Sequence, residues 1–203
     1  MGELFFIITC RIISQSKTLV NICYLKEKMV TFLLFATVFF LFLLILILFY
    51  LFYTSYSTQA GAIYFPTKDS VVKQMLELAK ITPKDTVLDL GSGDGRILIE
   101  AARRGVKAIG YEIDPLLVLT SRQKIKESKL TSLAQVHLKS FWSVDLNQAT
   151  VITLYLYPKF KKKLQQKLEK ELKHPILLVS NVYQFPGKKP LKESGSLRLY
   201  RFP

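Results

Sequence analysis

Two kinds of hydrophobic pattern divide the chain. From Phe32 to Phe52 (FLLFATVFFLFLLILILFYLF) 21 consecutive residues carry no charge, and uncharged sequence continues through Thr67. At about 1.5 Å per residue the run spans roughly 30 Å, the thickness of a bilayer hydrocarbon core, whereas the apolar region of a signal peptide is roughly 7–15 residues long. The pattern predicts one transmembrane helix over 30–53. Phe49, Tyr50, Phe52, Tyr53 and Tyr56 crowd its far end, where amphipathic rings favour the membrane interface. A helix apolar all round would otherwise need an enclosing core, which nothing else in so short a chain supplies.

Beyond the span the pattern changes. Residues 54–62 (TSYSTQAGA) are small, polar and uncharged and read as a short tether, with a folded domain over 63–203. Val71, Val72, Met75, Leu76 and Ala79 recur at helical spacing, and Thr82-Pro83-Lys84-Asp85 marks a turn. Short apolar runs then alternate with helical patterns. Strands are predicted over 86–90, 107–112, 135–139, 151–157, 175–181 and 197–202, and helices over 96–104, 115–129 and 160–173. Such alternation specifies an α/β domain with a doubly wound, mostly parallel sheet.

Charge and cysteine content refine this picture. The chain has 29 Lys+Arg against 15 Asp+Glu in 203 residues, and all but four of the bases and two of the acids lie beyond residue 53. The domain is therefore strongly basic and drawn to anionic lipid or acidic partners. Both cysteines, Cys10 and Cys23, precede the span, so the domain can build neither a disulfide nor a cysteine metal site. Arg11, Lys17, Lys26 and Lys28 also precede it, and the positive-inside rule would then put the domain outside. The chemistry below needs the domain in the cytosol. Met29 sits directly before the apolar run, and the expectation is that residues 1–28 are an N-terminal extension from a misassigned start.

The segment Val87-Leu-Asp-Leu-Gly-Ser-Gly-Asp-Gly-Arg96 carries the most chemistry. A buried strand delivers Asp89 to a turn in which Gly91, Gly93 and Gly95 allow close approach of a ligand, and a helix follows at once. Glu112 closes the next strand, where a carboxylate can accept both hydroxyls of a ribose. The loop is Gly-x-Gly-x-Gly, not the dinucleotide Gly-x-Gly-x-x-Gly, and no Lys-Ser/Thr follows as in a phosphate-cradling loop. Asp89 would repel a pyrophosphate but welcome an ammonium or sulfonium.

The runs DLGSGDGRI at 89–97 and GYEIDPLLV at 110–118 resemble motifs of the class I S-adenosylmethionine-dependent methyltransferases. Within that class the chain is similar to the membrane-anchored protein-lysine methyltransferases of the adenine nucleotide translocase and the ATP synthase c subunit, and to their prokaryotic relatives. The likeness extends to a YFPT segment at 64–67, SFW at 140–142 and LQQKLEKEL at 164–172. The resemblance implies a Rossmann-like class I methyltransferase sheet preceded by one transmembrane helix, with S-adenosyl-L-methionine as cofactor. It further implies that Gly91, Ser92, Gly93 and Gly95 line the methionine and ribose portion, that Asp89 lies near the amino group, that Asp94 belongs to the shared loop, and that Glu112 holds the ribose. Ser140 stands where the family usually has the Asp expected beside adenine; a hydroxyl can still bond the exocyclic amine, without charge assistance.

At the end of the fourth strand, Leu154-Tyr-Leu-Tyr-Pro158 lacks the Asn/Asp-Pro-Pro-aromatic motif of many adenine and glutamine methyltransferases. Tyr155 and Tyr157 fit either of two roles: aromatic walls facing a substrate alkyl amine, as catalytic-site residues, or core packing. His137 and His174, without Cys or clustered acids, suit packing or capping, and no metal site is expected. In Lys159–Lys173, Phe160, Leu164, Leu168 and Leu172 mark a packed face while seven lysines face water, a surface suited to solvent or to anionic lipid.

The reading is a single-pass membrane enzyme, cytosol-facing, that methylates a lysine of a protein partner, with a membrane protein as the expected substrate and no nucleic-acid partner. Two alternatives stay open: a methyltransferase of lipids or small hydrophobic molecules, and a noncatalytic membrane sensor that binds the cofactor.

Overall fold

The computed structural model describes residues 17–60 and 64–203, so expectations for 1–16 and 61–63, including most of the N-terminal extension and the end of the tether, lie outside the described residues. Two compact units divide near Thr54. The first holds most of helix α1, which runs over Lys17–Ala60 and is 44 residues long. Its large apolar side chains from Phe32 to Phe52 are exposed on all sides, and Tyr24–Tyr53 is long and apolar enough to cross a membrane. Thr31 and Thr37 return their hydroxyls to the carbonyls of Glu27 and Leu34 at 2.8 Å, so neither polar group needs a partner outside the helix. The helix continues through Thr54–Ala60, where the composition suggested a tether; no Gly or Pro interrupts it before Gly61.

The second unit follows the predicted alternation. In order come α2 (Asp69–Leu78), β1 (Thr86–Leu90), α3 (Arg96–Arg103), β2 (Lys107–Glu112), α4 (Pro115–Glu127), β3 (Ala134–Leu138), a 3-10 turn (Phe141–Ser143), β4 (Val151–Leu154), α5 (Pro158–Glu171), β5 (Ile176–Asn181), β6 (Lys192–Ser194) and β7 (Leu197–Phe202). The sheet order is β3-β2-β1-β4-β5-β7-β6. The first five strands pair in parallel, and β7 runs antiparallel to both β5 and β6. Chain direction away from β1 reverses between β2 and β4, the point at which open α/β sheets leave a crevice beyond their strand ends.

Burial on both faces explains the apolar strands. Val87 and Ala108 pack on one side with Met75, Leu76 and Leu98 from α2 and α3. Leu88, Ile152 and Leu178 pack on the other with Leu164 and Leu168 of α5, Phe185 and Phe202. Asp89 lies in register with Gly110 on one neighbour and Thr153 on the other, which fixes the acid at the centre of the sheet's carboxyl edge.

Three local expectations change. β4 ends at Leu154, because Tyr157 is the N-cap and Pro158 the first residue of α5, a position that suits the fixed proline φ. Strand β6 has three exposed residues and hence no apolar pattern to announce it; β7 supplies its partners. Lys161 does not face water: it is fully buried, on the same helix face as Leu164 and Leu168.

Candidate active site

A cavity of about 280 Å³ opens at the carboxyl edge of the sheet. Its walls come from the ends of β1, β2 and β4, from Tyr183 just after β5, and from the segment that precedes α2. Asp89, Gly91, Ser92, Gly93, Asp94, Glu112, Tyr155 and Tyr157 all line it. Gly95 and Ser140 do not; Phe141 reaches the wall where Ser140 was expected.

The glycine loop is shaped by two requirements. Gly91 has φ +83°, and a Cβ there would meet nothing within 4 Å, so the wall keeps a space that only hydrogen now leaves open. Gly95 has φ +81° as N-cap of α3, and a Cβ there would strike Ser121 Oγ at 2.1 Å. Gly95 therefore serves helix packing beneath the loop.

The four acids near the loop divide by environment. Asp89 is 3% exposed, and its carboxylate accepts from the Thr153 hydroxyl at 2.8 Å. Burial, reinforced by the neighbouring Glu112 and Asp94 charges and partly offset by Thr153, pushes its pKa up to about 7. A cation in the cavity would relieve that cost. Glu112 accepts from the Gly93 amide at 2.9 Å through one oxygen and from Ile113 and Asp114 amides at 2.7 and 2.9 Å through the other. It thus braces the loop, with lone pairs to spare for a ligand.

Asp94 has a different task. Burial disfavours its charge, but the two-pronged bond from Arg96 at 2.9 Å and the Lys124 ammonium at 2.5 Å outweigh it and hold the carboxyl well below its usual range. Arg96 also donates to the Thr67 carbonyl at 2.7 Å, which pins the segment Tyr64–Thr67 beside the loop. Asp114 caps α4 by accepting from the Leu116 and Leu117 amides.

Aromatic rings form the opposite wall. Tyr183 stacks on Tyr155 at 6.1 Å and on Tyr157 at 6.0 Å, with interplanar angles of 30° and 26°, and Phe65 meets Tyr155 edge-on at 6.2 Å. Burial raises the Tyr155 phenol pKa, so it stays protonated at neutral pH. Tyr155 and Tyr157 both line the cavity. Tyr183, Tyr64 and Phe65 were not among the expected site residues. Tyr183 could have been found as the aromatic just beyond the strand adjacent to β4; Tyr64 and Phe65 lay in the YFPT segment but carried no spacing signal.

The other residues singled out from the sequence make local contacts. Ser140 caps the 3-10 turn, accepting from the Trp142 amide at 3.4 Å. Trp142 packs on Phe141 at 4.6 Å. His137 stacks on Tyr111, and His174 bonds the Asn147 carbonyl at 2.7 Å.

Ser92 borders the cavity, while its buried Oγ is packed against Gly110 of β2 and has no hydrogen-bond partner. With a cation-seeking Asp89, a braced Glu112 and open space at Gly91, the donor set suits a molecule that carries a positive centre, a hydroxyl pair and further polar groups. An amino acid joined through a sulfonium to a nucleoside has that composition.

Comparison with known proteins agrees. The family model described as "ANTKMT methyltransferase domain" matches residues 89–192. A protein-lysine N-methyltransferase of Saccharolobus islandicus (strain REY15A) is 40% identical over 129 residues, 63% of this chain and 80% of that protein. The human lysine N-methyltransferase of the ATP synthase c subunit is 30% identical over 135 residues, 66% of this chain, and the chain spans only 58% of its length. Among solved structures, an RNA methyltransferase from Salinibacter ruber in complex with S-adenosyl-L-homocysteine is 36% identical with a TM-score of 0.63, covering 68% of this chain and 92% of that one. The chain belongs to the ANTKMT methyltransferase domain family, and its domain is a class I S-adenosylmethionine-dependent methyltransferase.

Proposed function

We propose that this protein transfers a methyl group from S-adenosylmethionine to a lysine side chain of a protein, while held at a membrane by Tyr24–Tyr53. The observation that carries the reading is the two-sided cavity: Asp89, Ser92 and Glu112 on one side, and Tyr155, Tyr157 and Tyr183 on the other. The names of the Saccharolobus and human relatives, both protein-lysine methyltransferases, support the choice of acceptor.

The donor, when bound, supplies a methyl group on a positively charged sulfur. Asp89 would receive its ammonium or sulfonium charge, and Glu112 would hold the ribose hydroxyls through its free lone pairs. The aromatic wall would accept the alkyl stem of a lysine and strip water from its amine. Desolvation lowers an ammonium pKa and favours the neutral nucleophile. The donor would supply the methyl and keep the electron pair of its carbon–sulfur bond, and the amine proton would leave to solvent. Alignment of the reactants, worth about 7–11 kcal/mol in well-oriented systems, would carry most of the rate.

Membrane partners follow from the composition of the carboxyl edge. Phe65, Leu116, Leu138, Tyr157 and Val182 are exposed in or near its loops, interleaved with the exposed Lys68, Lys139 and Lys159. Rings and lysines so mixed suit a lipid interface, as do the exposed lysines of Lys159–Lys173. We take the domain to face the cytosol. Impermeant maleimide would then label Cys10 and Cys23 only from the far side, if residues 1–28 are present; peptides spanning Arg11 to Lys26 in the native protein would reject the misassigned start.

The deciding experiment incubates membranes holding the full chain with methyl-labelled donor and separates protein, lipid and RNA. Label in protein lysine supports the proposal. Label only in lipid or only in RNA replaces it, and donor binding without transfer to any fraction makes the protein a sensor.

A further inference from the structure

Lys161 is a basic side chain fully buried in the domain, and the chemistry above does not use it. It projects from the first turns of α5. Its ammonium donates to the Ser180 hydroxyl and, at 2.8 Å, to the Tyr183 carbonyl, and it lies 4.4 Å from the centre of the Phe185 ring. Ser180 in turn donates to the same Tyr183 carbonyl at 2.7 Å. These partners are a hydroxyl, a carbonyl and a ring face, with no carboxylate. Burial and the nearby Arg198 charge accordingly lower the Lys161 pKa to about 7.

What this lysine grips is unusual. Val182, one residue before Tyr183, has φ +66°, a backbone region that β-branched residues avoid. Such a conformation persists only where its surroundings enforce it, and it concentrates at functional sites. The backbone groups around it are held from several sides. Arg198 donates to the Val182 carbonyl at 2.6 Å, and the Val182 amide donates to the Ser196 carbonyl at 2.8 Å. The Tyr183 amide turns back onto the Asn181 carbonyl at 2.8 Å, and the Ser196 hydroxyl holds the Asn181 side chain at 2.9 Å. A relaxed turn after β5 would swing the Tyr183 ring away from Tyr155 and Tyr157.

We propose that Lys161 and Arg198 are positioning residues that clamp the turn after β5 and so set Tyr183 as the central ring of the acceptor slot, making the clamp a determinant of which alkyl amine enters. The proposal rests on reading that slot as the place of the acceptor amine. The side chain is needed for its directed N–H donors, since a methionine would fill the same volume without them.

The test uses the full chain in phospholipid nanodiscs with 3-fluorotyrosine at position 183. Lys161→Met, Lys161→Arg and the milder Ser180→Ala are compared with the parent by fluorine resonance, by calorimetry with S-adenosylhomocysteine, and by transfer of labelled methyl to proteins of a membrane extract. Expected for Lys161→Met are a displaced fluorine resonance, at least a tenfold loss of transfer, and nucleoside affinity within twofold of the parent. Ser180→Ala should shift in the same direction by about threefold and decides the matter if Lys161→Met fails to fold. An unmoved resonance with transfer within twofold overturns the proposal, as does a parallel fall in nucleoside affinity. If the parent binds S-adenosylhomocysteine yet methylates no protein, the lysine acceptor falls, while the fluorine resonance still decides the clamp.

Discussion

The two walls of the cavity are built on opposite plans. The polar wall draws Asp89, Gly91, Ser92, Gly93 and Asp94 from six consecutive residues and adds Glu112 from the adjacent strand. The aromatic wall gathers Phe65, Tyr155, Tyr157 and Tyr183 from three separated segments. A turn that must present charge and amides at fixed spacing is encoded locally; a slot of ring faces needs only that rings meet, and distant segments can supply them. Charge therefore dominates one wall, and packing with backbone strain dominates the other.

That contrast breaks first at Asp89. Asp89→Asn keeps the shape but removes the charge, and calorimetry should show donor affinity reduced about a hundredfold, on the order of 2.7 kcal/mol; a change under threefold would remove the electrostatic account of this wall. Tyr183→Ala should do the reverse, cutting transfer about thirtyfold while donor affinity stays within twofold to threefold. Next in size, donor affinity should fall roughly tenfold between pH 8 and pH 6, because Asp89, with its pKa at about 7, must be ionised to pair with the donor.

The same group has a stability signature with a definite sign. Its folded pKa is raised, so its favourable contribution is complete below the ordinary value near 3.8 and is lost as pH rises through about 7. Ligand-free protein should therefore lose stability from pH 5 to pH 8, by at most about 1.4 kcal/mol per pH unit, and Asp89→Asn should flatten that slope in thermal melts. The smallest effect is expected at Ser140→Asp. With Ser140 off the cavity wall and occupied as a cap, donor affinity should change less than threefold; a larger gain would place that position beside the adenine after all.

The same division governs what the sequence reveals. The strand, glycine turn and helix over 86–103 are visible because period, glycine spacing and acid placement lie within one short window. Asp89, the loop residues Gly91 to Asp94 and Glu112 needed nothing further, since two adjacent parallel strands carry them to one edge. Lys161 shows the opposite case: its i+3 and i+7 relation to Leu164 and Leu168 assigns it to the buried face, but residue type alone argued for water. Tyr183 depended on a positive-φ valine that no local pattern predicts, and β6 on an edge offered by β7.

The proposed pairing of Asp89 with the donor would tie the protein's persistence to its metabolic setting. A ligand that binds only the folded chain stabilises it by RT ln(1 + [L]/Kd), about 2.7 kcal/mol at a hundredfold excess. Cells short of methyl donor would leave the acid buried without its cation, raise the unfolded fraction offered to proteases, and lower the enzyme's abundance together with its turnover.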